Sequence, residues 1–207
     1  MVWRPLLDFV FPAQCASCSV LGSGFCAACA ATCERIHVGF PTLRVSAFGS
    51  YEGSLRSAIL ALKDGRRDVA EALGRLAAGL ILPGSILVPI PTTAKRRRIR
   101  GLDGVALVAR DAATLAHATV LAALEQRSGD AQRGRSRAAR LAAHGRFACH
   151  EAGVAGKRVV LFDDVCTTGS TLRDCAAAVR AAGGLVEDAV VVAVTKTGQP
   201  WNASQSN

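Results

Sequence analysis

The sequence predicts an α/β architecture, a mostly parallel sheet flanked by helices, with a small cysteine-rich module at the N-terminal end. Three observations carry this. From about residue 43 onward, short apolar runs rich in β-branched residues alternate with longer segments of helical periodicity. Half of the 207 residues are hydrophobic and only 5% are aromatic. Ala, Val and Leu thus do most of the packing, which suits helices laid on a buried sheet and opposes disorder. Finally, five of the eight cysteines fall between positions 15 and 33.

The elements follow in order. The cysteine-rich region ends near Pro41, so the chain is divided there: a module over 1–41, a main domain over 42–198 and a flexible tail over 199–207. Residues 43–51 read as a strand or hairpin that opens the main domain. Leu55, Ala58, Ile59 and Leu62 recur at one-face helical spacing until Lys63-Asp64-Gly65 ends the pattern. Val69, Leu73, Leu76, Ala77 and Leu80 repeat it until Pro83-Gly84. The apolar run 86–90, bounded by prolines, is a buried strand. A basic loop over 92–100 leads to a helix near 105–116, and 119–124 reads as another strand. The stretch 127–146, rich in Arg, Ala, Gly and Ser, reads as a mobile loop with a partial helix. The clearest strand is 158–162 and the clearest helix 170–182, closed by Gly183-Gly184. A last strand covers 190–194.

Net charge is +9. That balance suits an anionic partner, either nucleic acid or a phosphorylated small molecule, and does not choose between them. The apolar stretch 2–11 is interrupted by Arg4, Pro5 and Asp8, is too short to span a bilayer and lacks a cleavage pattern. A cytoplasmic protein with no membrane insertion is expected, and in that compartment the cysteines should not form a disulfide framework.

Cys15-x-x-Cys18 and Cys26-x-x-Cys29 form two knuckles with seven residues between them. Two such knuckles can set four thiolates tetrahedrally about Zn²⁺, and a region this small has little core of its own. Four thiolates leave no open coordination position, so the zinc would be structural. Four buried apolar cysteines, or a redox dithiol, are the alternatives, and two pairs favour metal. Cys33 is left unassigned, and His37 reads as a surface residue.

The most informative segment runs Val159-Val160-Leu161-Phe162-Asp163-Asp164-Val165-Cys166-Thr167-Thr168-Gly169-Ser170-Thr171. A buried strand leads into two carboxylates, then a loop of hydroxyls and glycine, then a helix. Open α/β sheets bind ligands at the carboxyl ends of their parallel strands. The backbone N–H groups of Thr168, Gly169 and Ser170 can converge on a phosphate, with the helix N-terminus adding its dipole. Thr167 and Thr171 offer hydroxyl donors to the same phosphate. Asp163 and Asp164 are acceptors, suited to ribose hydroxyls, and are the candidate catalytic residues. An N-capped helix after a strand, with Asp and Thr chosen only for the turn, is the plainer alternative.

Taken whole, this segment resembles the signature with which type I phosphoribosyltransferases bind 5-phosphoribosyl-1-pyrophosphate (PRPP). Further motifs narrow the resemblance to the ComF/GntX family, the competence-associated phosphoribosyltransferase-like proteins of bacteria. These are the doubled Cys-x-x-Cys, then Tyr51-Glu52-Gly53-Ser54-Leu55-Arg56 with Leu62-Lys63, then Val88-Pro89-Ile90-Pro91 followed by a basic loop and Arg100-Gly101. The resemblance covers roughly residues 5–195. It implies a type I phosphoribosyltransferase fold with an N-terminal zinc module. It also implies that Asp163 and Asp164 meet the ribose 2′ and 3′ hydroxyls while Cys166, Thr167, Thr168, Gly169, Ser170 and Thr171 hold the 5-phosphate. Pro91, Thr92, Thr93 and Lys95 would meet the pyrophosphate together with Mg²⁺. The implied activity is that of a glycosyltransferase moving phosphoribose to an acceptor through an oxocarbenium-like transition state. Two motifs depart from the family. Arg100-Gly101-Leu102-Asp103-Gly104 replaces Arg-Gly-Phe-Asn-Gln, and Arg140-Leu141-Ala142-Ala143 replaces Arg-x-x-Asn. Both lie where an acceptor or a lid would sit, so the acceptor is not assigned.

Five cations occupy the six positions 95–100. They read as a solvated loop, as a neutraliser of pyrophosphate, or as a nucleic-acid contact, since phosphate backbones need only clustered Lys and Arg. Arg127, Arg133, Arg135, Arg137 and Arg140 suit a lid, a nucleic-acid surface or a solvated loop. A second functional reading is therefore a non-catalytic competence accessory that binds single-stranded DNA or a DNA-uptake partner. A homodimer is compatible with either. Cys166 reads as a small packing residue, and Cys149 and Cys175 as core or incidental cysteines.

Overall fold

The computed structural model describes residues 12–92, 103–127 and 146–195. A short helix α1 (Ala27–Ala31) follows the first turns of the cysteine-rich region. Then come β1 (Ile36–Phe40), β2 (Leu43–Ser50), α2 (Gly53–Lys63), α3 (Arg67–Ala78), β3 (Ile86–Pro89), α4 (Gly104–Leu115) and β4 (Thr119–Val120). The remainder is β5 (Leu124–Gln126), β6 (Phe147–Cys149), α5 (Glu151–Val154), β7 (Arg158–Cys166), α6 (Ser170–Ala181) and β8 (Leu185–Val194).

Six strands form one sheet in the order β1-β2-β8-β7-β3-β4. Only the β1–β2 pair is antiparallel; the four other pairings are parallel. The apolar runs explain this. Val159 and Leu161 of β7 pack into the core on one face, while Val160 and Phe162 pack on the other. A strand covered on both faces needs a continuous hydrophobic run rather than alternation. One face carries α2, α3 and α4, whose buried residues include Leu55, Ile59, Leu73 and Val108. The other carries α6, which buries Leu172, Cys175, Ala176 and Val179. The chain is a mixed α/β protein with helices on both faces of a mostly parallel sheet.

Strand order also locates the crevice. The chain leaves β3 through α4 towards β4 on one side, and leaves β7 through α6 towards β8 on the other. β3 and β7 are neighbours, with Pro89 opposite Phe162. Their carboxyl ends therefore flank a topological switch point, where connections diverge and a ligand can enter.

Several expectations change. Residues 119–124 are not one strand: β4 joins the main sheet, while β5 pairs with β6 in a separate two-stranded ribbon. The last strand begins at Leu185, five residues earlier than expected. β7 continues through Cys166, so Asp163 and Asp164 lie inside the strand and not after it. Two polar residues cannot be told from a loop by pattern alone, but the ladder to β8 holds both ends of this segment, Asp163 opposite Val191 and Cys166 opposite Val194.

The chain does not separate cleanly at Pro41 either. Pro41 sits in the turn of the β1–β2 hairpin, both strands of which belong to the main sheet. Cys15, Phe25 and Cys29 are buried in the same apolar cluster as Leu55, Ile59, Val69 and Leu73. Gly24 lies so close to the Asp68 backbone that a Cβ would overlap it. Arg66 reaches both the Gln14 carbonyl and Asp68. The module is thus seated on the α2–α3 turn. The stretch 128–145, expected to be a mobile loop, lies outside the described residues, but its base is closed. β5 and β6 pair directly, and the Arg127 N–H donates to the Arg146 carbonyl at 2.9 Å.

Candidate ligand-binding site

The site is built on the carboxyl end of β7. Its ladder with β8 continues to the edge, where the Thr195 N–H donates to the Cys166 carbonyl at 3.0 Å. Cys166 is buried, as expected of a packing residue, and burial pushes its thiol up. The chain then turns through Thr167, Thr168 and Gly169 into α6. Gly169 is the N-cap at φ 69°, a left-handed conformation that costs other residues free energy. A Cβ there would also collide with the Phe40 ring, which β1 lays across the loop. The Arg173 guanidinium stands 5.7 Å from the centroid of that ring. Gly169, as the N-cap, offers no side chain to the first turn of α6, and Thr167, Thr168 and Ser170 remain exposed. Their hydroxyls and N–H groups are the donors a phosphate would need. Thr168 Oγ1 accepts weakly from the Ser170 N–H at 3.4 Å.

A small, shallow hollow, open to solvent, lies over this turn and is lined by Asp163, Val165, Cys166, Thr167, Gly169, Ser170, Thr171 and Leu172. Of the two carboxylates only Asp163 lines it. The reason is the strand: successive side chains point to opposite faces. Asp163 faces the α6 side. Asp164 faces the α2 side, where Lys63 Nζ lies 3.5 Å from its Oδ2. The backbone keeps the two linked, because the Asp164 N–H donates to Asp163 Oδ1 at 2.8 Å. Burial, reinforced by the charge of Asp164, holds the Asp163 carboxyl well above the usual carboxylate range.

Next to this edge, the Ile90 N–H donates to the Phe162 carbonyl at 2.8 Å, so Pro91 and Thr92 emerge beside the acidic pair. Thr92 Oγ1 donates to Asp103 Oδ1 at 3.1 Å, and the same oxygen accepts from the Ala106 N–H at 3.2 Å. Asp103, one of the departures from the family motif, is thus the N-cap of α4 and ties both ends of the basic loop together. Thr93 and Lys95 lie outside the described residues.

Two contributors were missed from sequence. Lys63 was read as a helix terminus, and nothing but the position of α2 brings it to Asp164. Arg146, at the base of the β5–β6 ribbon, places Nη2 3.5 Å from Ser170 Oγ and Nε 2.8 Å from Asp174 Oδ2. Its signal was hidden in an Arg-rich stretch.

The second site is the cysteine cluster. The Sγ atoms of Cys15, Cys18, Cys26 and Cys29 all lie within 4.8 Å of one another, and those of Cys18 and Cys26 are 3.6 Å apart. Tetrahedral zinc with Zn–S bonds of about 2.3 Å requires sulfurs about 3.8 Å apart, so the donor set fits a structural metal such as zinc. The Cys26 N–H points at Cys15 Sγ, 3.4 Å away. Burial opposes ionisation of Cys15, but backbone N–H groups of Cys18, Cys26 and Ser17 outweigh it and bring the thiol down to about 6. At Cys18 the Val20 N–H favours the thiolate, yet the sulfurs of Cys26, Cys15 and Cys29 overcome it and push the thiol up to about 12. Crowded thiolates of this kind are relieved by a dication. Cys33 stays outside the cluster, donating to the Cys29 carbonyl at 3.7 Å, and His37 is exposed beside Ser46.

No protein-family model matches the sequence, and no curated protein matches it. Among solved structures the chain is similar to an allosteric regulatory enzyme of purine biosynthesis, with 21% identity and a TM-score of 0.44 over 60% of this chain. This chain spans about 26% of that enzyme's chain. At that level the likeness carries no functional argument, and the α/β architecture stands on the strand order and helix placement themselves. No helix of the described residues is long and apolar enough to cross a membrane.

Proposed function

We propose that the protein is a cytoplasmic phosphoribosyltransferase-like protein of the ComF kind, which binds PRPP at the carboxyl edge of β7 and β3. The observation that carries this reading is the continuity of one hollow. Asp163 at its floor is followed directly by the hydroxyl-bearing turn and the N-terminus of α6. A phosphate seated on the turn would place an attached ribose against Asp163, with Asp164 next to it in the strand, and a pyrophosphate on the ribose towards Pro91 and Thr92; the resemblance adds Thr93 and Lys95 to the pyrophosphate's partners. Mg²⁺ would supply positive charge to the pyrophosphate. In the transfer, the C1–O bond breaks with its electron pair leaving on pyrophosphate. The acceptor forms the new bond to C1 and gives up a proton. The chain's part is to hold the ribose at the acidic pair and to keep the 5-phosphate fixed while charge develops at C1. A zinc ion on the four knuckle cysteines would be structural.

The test is thermal stabilisation by millimolar PRPP with Mg²⁺, which tracks affinity. Wild-type protein should shift upward. Asp163→Asn with Asp164→Asn keeps size, removes both charges and should abolish the shift while zinc content is retained. No shift in the wild type would overturn the reading. An undiminished shift in the double variant would move the ligand elsewhere.

A further inference from the structure

Among the ion pairs of the described residues, Lys63–Asp164 is the least exposed. Its side chains are 28% and 19% exposed, against 35% and 31% for Arg66–Asp68, 62% and 40% for Arg44–Asp188 and 64% and 60% for Arg158–Glu187. Exposed pairs contribute little, and a less hydrated one responds to loss of either partner. Lys63 is also fixed independently of Asp164. Leu62, next to it, is buried in the core. Its ammonium lies 5.8 Å from the centroid of the Tyr51 ring, and the Tyr51 N–H donates to the Val194 carbonyl at 2.7 Å. The turn just beyond α2 is held by Arg66 on Gln14 and Asp68. The ammonium is therefore delivered by the fold to the end of β7.

We propose that Lys63 is a positioning residue of this site, an ammonium that serves as counterion to the Asp164 carboxylate on the α2 side of the sheet, behind Asp163, which faces the ligand hollow. The inference rests on the PRPP reading for its ligand but not for its electrostatics. Two carboxylates on consecutive residues of one strand repel, and removal of the cation beside one of them favours protonation of the pair. Among the described residues the groups that reach the pair are few. Lys63 comes from α2, Cys166 from β7 itself and Cys175 from α6, and burial keeps both thiols in the neutral form. Among the described residues Lys63 is the cation beside the pair, and its charge opposes the burial and carboxylate repulsion that hold Asp163 high. A ribose hydroxyl that donates to the Asp163 carboxylate requires it to be ionised, and the charge of Lys63 favours that form.

The experiment compares wild type with Lys63→Met, which keeps the apolar stem over Tyr51, and Lys63→Arg, which keeps the charge. The carboxyl carbons of Asp163 and Asp164 are titrated by NMR in the ligand-free protein, and PRPP affinity with Mg²⁺ is measured by calorimetry across the same pH range. Lys63→Met should raise the midpoint of the Asp163 titration, because the cation that favours its charged form is gone. It should also weaken PRPP about tenfold below that midpoint, with recovery at higher pH. Lys63→Arg should resemble wild type in both. Superimposable carboxyl titrations of Lys63→Met and wild type would overturn the proposal, and so would Lys63→Arg titrating like Lys63→Met. If Lys63→Met does not fold, Lys63→Gln carries the same comparison. Absence of PRPP binding in every protein would count against the proposed function, while the carboxyl titrations would still decide the role of Lys63.

Discussion

The cysteine cluster and the carboxyl edge of the sheet gather their groups over very different lengths of chain. The four metal-binding candidates lie within Cys15–Cys29, and two tight turns bring their sulfurs within 4.8 Å. The sheet edge draws on Phe40, Lys63, Thr92, Arg146 and the run from Asp163 to Thr171. A local site is specified by spacing, and its four crowded sulfurs would be relieved by a metal such as zinc. A dispersed site is stabilised by the whole sheet but depends on every element being in place. The structure also joins the two: Cys15 and Cys29 pack against α2, the helix that carries Lys63 to Asp164.

The largest expected effect tests that junction. Cys26→Ser should reduce zinc from about one per chain to near none and cost several kcal/mol of stability. Because Cys15, Phe25 and Cys29 share a core with Leu55 and Leu73, hydrogen exchange should show loss of protection in α2 and α3 as well as in the module. If elemental analysis shows zinc gone while α2 and α3 keep full protection, the two regions are energetically separate.

Gly169→Ala comes next. It forces a side chain into a left-handed backbone position and against Phe40, with an expected cost of about 1–3 kcal/mol in chemical denaturation. PRPP stabilisation should fall with it. A variant as stable as wild type would mean that Phe40 yields freely and does not brace the turn.

The two carboxylates sharpen the comparison within the sheet edge. Asp163→Asn should weaken PRPP more than Asp164→Asn, since only Asp163 lines the hollow. It should also stabilise the ligand-free protein above the ordinary carboxylate range. The folded carboxyl is held high by burial and by Asp164, so the native state keeps a proton that the unfolded chain has lost. Wild-type stability therefore falls as pH rises from that range through the raised folded value. The melting temperatures of variant and wild type should coincide at low pH and diverge, variant higher, as pH rises above the ordinary carboxylate range. Equal melting temperatures at both ends would show that Asp163 is hydrated in the free protein.

The smallest effect belongs to a surface pair between β2 and β8. Arg44→Ala removes a bridge to Asp188 whose partners are 62% and 40% exposed, and should cost less than about 1 kcal/mol. A larger loss would mean that the sheet is held at its rim as much as through its core.

The sequence by itself determined the helices over 53–78, 104–115 and 170–181 closely, because each buries one face and period 3.6 survives any environment. It determined the four knuckle cysteines and the turn around Gly169, where local geometry restricts which residues fit. Other features were decided by tertiary structure alone. Pairing with β8 drew Asp163 and Asp164 into β7 and sent them to opposite faces. The short strands β5 and β6 carry too few residues to show a period, and exist because they pair across the 20 positions between Gln126 and Phe147. Lys63 meets Asp164 because α2 and β7 pack together, 101 positions apart in sequence. Periodicity and turn chemistry act over a few residues, while pairing and packing join segments whose separation leaves no local mark.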